Sequence, residues 1–87
     1  MTTDPVDIPV LDDPQTLYED DFMEIITSGY GRVVLYDVRL YAGKTSPHDI
    51  SRAMSFLPPG AIIRKVFQDP NSDDLYLSFW YEQTRGW

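Results

Sequence analysis

Apolar and polar residues alternate most regularly in the middle of the chain, over residues 32–41. Alternation with a period of two places successive side chains on opposite faces of a β-strand. Asp37 and Arg39 would share one face, which is polar. The other face would carry Val34, Tyr36, Val38 and Leu40. The pattern therefore predicts a strand with one face in water and the other face in a core.

The residues after Gly43 carry the signals of a helix start. Ser46 is a preferred N-cap, Pro47 fits the first helical position, and Asp49 stands where a capping box places its acid. Apolar residues then recur at helical spacing, at Ile50, Ala53, Met54 and Leu57. The Pro-Pro-Gly sequence at 58–60 cannot continue a helix. A helix of about three turns is predicted between these limits.

Two further strands are predicted in the last third of the chain. Residues 61–68 are apolar and β-rich, residues 69–74 are dense in turn formers, and residues 75–82 alternate. This succession is typical of two antiparallel strands joined by a loop. With the earlier strand and helix, it predicts an α+β fold. The expected architecture is a three-stranded antiparallel sheet in the order strand-helix-strand-strand, with one helix packed on a face.

Residues 14–28 admit two interpretations. Asp13 is a preferred N-cap, and Pro14 suits the first turn of a helix. Tyr18, Phe22 and Ile25 fall at positions i, i+4 and i+7. These features favour a helix over residues 14–28. The alternative is a hairpin, because residues 25–27 are β-branched and residues 28–31 fit a turn into the next strand.

The 87 residues, at 10.1 kDa, are enough for one small domain. Pro5 and Pro9 stand near the start of the chain, where they fix φ and remove hydrogen-bond donors. Residues 1–13 are therefore predicted to form an extended acidic arm, and residues 14–87 a single α+β domain.

Charge is distributed unevenly. The chain has 14 acidic and 7 basic residues, a formal net charge of -7 and a pI near 4.3. Residues 1–31 contain no lysine or arginine. The predicted partner-binding acids, here called the acidic strip, are Asp12, Asp13, Glu19, Asp20, Asp21 and Glu24. This charge argues against direct binding of nucleic acid and favours a basic protein partner, whose approach the negative field would accelerate.

Residues able to perform chemistry are scarce. The chain lacks cysteine, which excludes disulfides, thiolate metal sites and thiol catalysis. His48 is the single histidine, and no serine and acid surround it in a catalytic spacing. It is predicted to be an exposed residue in the first turn of the helix. No catalytic residue and no cofactor are predicted, and the protein is not expected to be an enzyme.

One loop matches the residue spacing of a calcium-binding loop, but only over its first positions. Asp69, Asn71 and Asp73 stand at the i, i+2 and i+4 positions that open a calcium loop. The sixth position needs glycine but is Asp74, and the twelfth needs glutamate but is Trp80. The segment is therefore predicted to be a solvated hairpin loop without a metal.

Aromatic residues form a second candidate interface. Tyr76 and Trp80 would share one face of the last strand, and Trp87 follows in the tail with Arg85. Tyrosine, tryptophan and arginine are frequent anchors of protein interfaces. If a helix forms over residues 14–28, its apolar stripe would cover this aromatic face instead.

The first residues include acids where a signal peptide needs bases. No apolar run approaches the ~20 residues that span a bilayer. A cytoplasmic protein without a membrane partner is expected.

Two functions agree with these features. The first is a non-enzymatic inhibitor or regulator whose acidic strip occupies the positively charged groove of a nucleic-acid-handling protein. Small size, acidity and lack of cysteine are the profile of phage-encoded inhibitors such as anti-CRISPR proteins and polymerase inhibitors, an analogy of composition alone. The alternative is a self-assembling structural or adaptor module that uses a strand edge or the Tyr76/Trp80 face, as in a homodimer.

Overall fold

The computed structural model describes residues 11–83, which form five strands and one short helix. The elements are β1 (Leu11–Glu19), β2 (Met23–Tyr30), β3 (Val33–Leu40), α1 (Pro47–Met54), β4 (Ile62–Gln68) and β5 (Leu75–Glu82). All strand pairs are antiparallel, and the strands lie side by side in the order β1-β2-β3-β5-β4. Strands β1 and β4 are therefore the two edges of one sheet.

The sheet has five strands, so the prediction of a three-stranded sheet is wrong. The cause is the segment 14–28, where a helix was predicted and where β1 and β2 form instead. Tyr18 and Ile25, spaced as if on one helical stripe, are cross-strand partners on either side of a turn. Gly31 adopts a φ of 61° in the next turn, between β2 and β3, a conformation that residues other than glycine rarely take. The alternative interpretation, a hairpin, is closer to the structure, but residues 28–30 belong to β2 and the turn into β3 lies at Gly31 and Arg32.

Strand β3 and the start of α1 form as predicted. β3 buries Val38 and Leu40 and leaves Asp37 exposed. Ser46 caps α1, because its Oγ accepts from the Asp49 amide at 3.2 Å while Oδ2 of Asp49 accepts from the Ser46 amide at 3.0 Å. α1 has eight residues, and so it is shorter than the predicted three turns.

The core lies between α1 and the β2–β3 half of the sheet. Its buried members are Met23, Ile25, Val38, Leu40 and Ala53. Tyr18 of β1 extends it by stacking on Phe56, with ring centroids 4.6 Å apart. α1 contacts β2 but is too short to reach the far edge of the sheet. The core is consequently off-centre, and it leaves the β4 edge without a covering helix.

Candidate interaction surface

Edge strand β4 exposes large apolar side chains on both of its faces. Ile62, Ile63, Val66 and Phe67 are 58%, 47%, 58% and 46% exposed, respectively. Val66 lies opposite Leu77, on the face that also carries α1, whereas Phe67 lies opposite Tyr76, on the other face. Directly opposed residues share a face of the sheet. An edge strand that is apolar on both sides is an established template for pairing with another chain.

The face of the sheet opposite α1, here called the open face, carries the predicted aromatic residues. Tyr76 lies opposite Arg39, and Trp80 lies opposite Leu35. The Phe67 ring extends this row toward β4, 5.4 Å from the Tyr76 ring. None of the helices and strands within residues 11–83 packs over this face. The helix that would have covered it does not form, and Trp87 lies outside the described residues.

A β-bulge directs basic side chains onto the same face. The register of β4 against β5 shifts between Ile63 and Lys65, which leaves Arg64 as the extra residue. Arg64 lines a shallow depression with Val33, Leu35 and Trp80. Lys65 lies over the Phe67 ring, with Nζ 5.7 Å from its centroid. The β4 side of the open face therefore combines apolar, aromatic and cationic groups.

Asp74 anchors one end of this surface. It is buried, and its carboxylate accepts hydrogen bonds from the Ala42 amide at 2.7 Å and from Nε of Arg39 at 2.9 Å. These bonds, first that from the Ala42 amide and then that from Arg39, lower the pKa of Asp74 against the opposing effect of burial. Arg39 in turn lies 5.5 Å from the Tyr76 ring. The Arg39–Asp74 ion pair thus fixes Arg39 beside the Tyr76 ring, where β3 ends and β5 begins.

Asp20, a member of the acidic strip, is engaged within the fold. Its carboxylate accepts from the Tyr18 hydroxyl at 2.7 Å, the Phe22 amide at 2.8 Å, the Met23 amide at 3.0 Å and the Arg52 guanidinium at 3.1 Å. These hydrogen bonds, led by that from Tyr18, lower its pKa to about 2. Asp20 therefore closes the β1–β2 turn and ties it to α1.

The other members of the acidic strip lie on β1, on β2 and in the turn between them. Asp13 and Glu19 are exposed on β1, six residues apart, so they lie about 20 Å from each other. Asp21 is exposed in the turn, whereas Glu24 is partly buried opposite Arg39. Asp12 also belongs to β1. The exposed acids Asp13, Glu19 and Asp21 therefore lie at the β1 edge, four strand spacings from the basic and apolar β4 edge.

The loop between β4 and β5 uses its acids to hold its own shape. Asp69 accepts from the Asn71 amide at 2.9 Å and from the Ser72 hydroxyl at 3.1 Å, and Asp73 has a φ of 67°. Residues 11–83 contain no group of three or more His, Asp or Glu side chains that could hold a metal ion. His48 is exposed at the start of α1.

No helix within the described chain is both long and apolar enough to cross a membrane. In comparisons with protein-family models, curated proteins and solved structures, the chain matches none of them. Alternation in β5 predicts Tyr76 and Trp80 on one face, whereas the exposure of the four apolar residues of β4 was not predicted. Their signal was the absence of alternation in Ile62-Ile63-Arg64-Lys65-Val66-Phe67.

Proposed function

We propose that this protein is a non-enzymatic interaction module that accepts an additional β-strand along β4 and seats the neighbouring parts of its partner on the open face. The observation that carries the proposal is the exposure of four large apolar side chains, 46–58% each, on an edge strand. Native proteins usually protect such an edge with proline, charged side chains, a β-bulge or a covering element. β4 has no proline, and no helix of residues 11–83 lies over it. It does carry Arg64, Lys65 and a bulge, but four large apolar side chains on either side of them stay exposed, which favours a partner there.

The energetics require the open face to contribute as well. Full burial of a large apolar side chain contributes about 1.5–3 kcal/mol, and each of the four is already half buried, so covering them contributes roughly 3–6 kcal/mol. Association costs about 4–15 kcal/mol in lost freedom. New backbone hydrogen bonds add only about 0.5–1.5 kcal/mol each. Tight binding therefore needs further contacts, and Leu35 and Trp80 are placed to supply them.

This proposal is tested with the double variant Ile62→Thr/Val66→Thr. Threonine keeps the β-propensity of both positions but removes apolar surface. We expect loss of the partners that the wild-type protein captures from lysate, with a free energy of unfolding within about 1 kcal/mol of wild type. Leu17→Thr, at an exposed position of the opposite edge, is the matched control and should retain every partner. Capture is quantified by mass spectrometry. Retention of all partners by the double variant would contradict the proposal.

The acidic edge supports a second candidate function, inhibition of a basic, nucleic-acid-handling protein. Within residues 11–83, Asp13, Glu19 and Asp21 are exposed and take part in no salt bridge. Carboxylates in this state retain their full field and can compete with phosphates for lysine and arginine. The role proposed for them is to occupy a positively charged groove of that partner.

A charge-matched pair of variants tests the second candidate. Asp13→Asn/Glu19→Gln/Asp21→Asn neutralises the β1 edge, and Asp37→Asn/Asp73→Asn/Glu82→Gln removes the same charge from exposed positions elsewhere. We expect the first variant to lose at least about tenfold in affinity for the captured basic partner at low salt, and the second to lose much less. The difference should shrink at high salt because screening is stronger. Equal losses in the two variants would show that only net charge matters.

A further inference from the structure

We infer that the strand added along β4 is β4 of a second copy of this chain, so that two copies form one continuous ten-stranded antiparallel sheet about a two-fold axis at Phe67. The inference rests on the proposed function, namely that β4 accepts a strand. It adds the identity of the partner and the register of the pairing.

The direction of the backbone groups restricts the possible registers. The Asp69 amide donates to the Asp74 carbonyl at 2.9 Å, so it is directed toward β5. Successive residues of a strand direct their N–H and C=O groups to opposite sides. The N–H and C=O groups of Phe67 and Lys65 are therefore also directed toward β5. Those of Val66 and Gln68 are directed to the free side of β4. Val66 of one copy can then exchange two hydrogen bonds with Gln68 of the other, and Gln68 with Val66, around a Phe67–Phe67 pair.

Charge complementarity favours this register over the one centred on Lys65. With the axis at Phe67, Lys65 of each copy lies opposite Asp69 of the other, which gives two symmetric ion pairs. With the axis at Lys65, the two lysines would face one another and repel. The Asp69 oxygens accept one hydrogen bond each, from the Asn71 amide and the Ser72 hydroxyl, and each retains a lone pair.

The aromatic residues agree with the same register. Phe67 and Tyr76 are already neighbours in one copy, with ring centroids 5.4 Å apart. Pairing at Phe67 joins the two rows into one continuous aromatic row on the open face. Cross-strand aromatic pairs are among the stabilising pairs in antiparallel sheets.

The opposite edge is a poor alternative for the second copy. β1 contains Pro14, which lacks an N–H group, and its register against β2 shifts twice. It also carries exposed acids, so two β1 edges would repel one another. Pairing β4 with β4 places the acidic edges at opposite ends of the joined sheet, about 43 Å apart. A two-fold contact of this kind is closed, and the assembly stops at two copies.

Cysteine substitution tests the register directly, because the chain has no cysteine of its own. The two Phe67 residues form a non-hydrogen-bonded pair with Cα atoms about 4.5 Å apart, within the range that disulfides span. Phe67→Cys should therefore give a covalent dimer under mild oxidation. Lys65→Cys, on the same strand and face, is the control. Its two copies would lie four residues out of register, about 13 Å apart, too far for a disulfide.

We expect Phe67→Cys to cross-link at least about tenfold faster than Lys65→Cys at equal concentration, as read by non-reducing electrophoresis. Equal rates, or faster cross-linking at residue 65, would overturn the register. Sedimentation equilibrium of the wild-type protein should show a monomer–dimer equilibrium. Val66→Pro removes an N–H group directed to the free side and replaces an apolar side chain of the edge, so it should remain monomeric with the strand content of wild type.

The outcomes separate this inference from the proposed function. A wild-type protein that stays monomeric up to millimolar concentration, or a Val66→Pro variant that still dimerises, overturns the inference. If a monomeric wild type nevertheless captures a partner that Ile62→Thr/Val66→Thr loses, the proposed function stands and the added strand belongs to another protein. If the double variant keeps all partners, the proposed function fails as well.

Discussion

Asp20 connects parts of the molecule that are distant in sequence. Its carboxylate accepts hydrogen bonds from two backbone amides of the β1–β2 turn and from the Tyr18 hydroxyl. It also accepts one from the guanidinium of Arg52, which belongs to α1. Arg52 is also paired with Asp49 at 3.0 Å. A residue that composition assigns to an acidic binding strip is therefore a structural centre. Asp74 has the equivalent role between β3 and β5, where it pairs with Arg39.

The lowered pKa of Asp20 predicts a specific dependence of stability on pH. The pKa is 3.8 in an unperturbed carboxyl and about 2 in the folded protein, mainly because of the hydrogen bond from Tyr18. The folded state then binds fewer protons than the unfolded state in this range. The stability from Asp20 is fully present above the unfolded pKa, and it is lost as the pH falls from about 4 to about 2.

We therefore expect Asp20→Asn to be less stable than wild type at neutral pH and to approach wild type as the pH falls through this window. Urea unfolding at a series of pH values measures the difference. Asp21→Asn is the control, because Asp21 is the exposed neighbour in the same turn. A constant difference between Asp20→Asn and wild type from pH 7 to pH 2 would show that the carboxylate charge of Asp20 has no structural role.

At the scale of elements, what could be predicted depended on whether the signal was local. The capping box of α1 involves Ser46 and Asp49, three residues apart, and the alternation of β3 is contained in eight residues. Both were therefore readable from the sequence. The β1–β2 hairpin was not, because Tyr18 and Ile25 suit one face of a helix as well as they suit a cross-strand pair. The ion pair between Asp20 and Arg52 and the packing of Ile25 under α1 favour the hairpin, and both depend on tertiary contacts.

The candidate surface likewise has features that a local sequence pattern predicts and features that depend on the whole sheet. Placement of Tyr76 and Trp80 on one face follows from alternation within β5 alone. Exposure of β4 follows from strand order, because β5 lies between β3 and β4 and leaves β4 at the edge. The bulge at Arg64 also interrupts the period of two, so the sequence does not show which side chains share a face. Non-alternating apolar residues usually indicate a strand buried on both faces. Here they lie on an edge, which is why a partner is proposed.

For the whole molecule, the two edges of the sheet have opposite character, and this predicts how stability should vary with protein concentration. If the dimer forms through β4, only the folded chain binds its partner, so dimerisation stabilises the folded state by mass action. For a chain of this size, each tenfold rise in concentration should raise the Tm by about 3–5 °C. Val66→Thr/Phe67→Thr should unfold at a Tm that does not change with concentration, because it lacks the apolar side chains that the joined edges bury around the Phe67 axis. Calorimetry of both proteins over several concentrations measures the effect.

A shift in Tm of the same size in both proteins would place the stabilising contact elsewhere on the molecule, whereas the predicted contrast would locate it at the β4 edge.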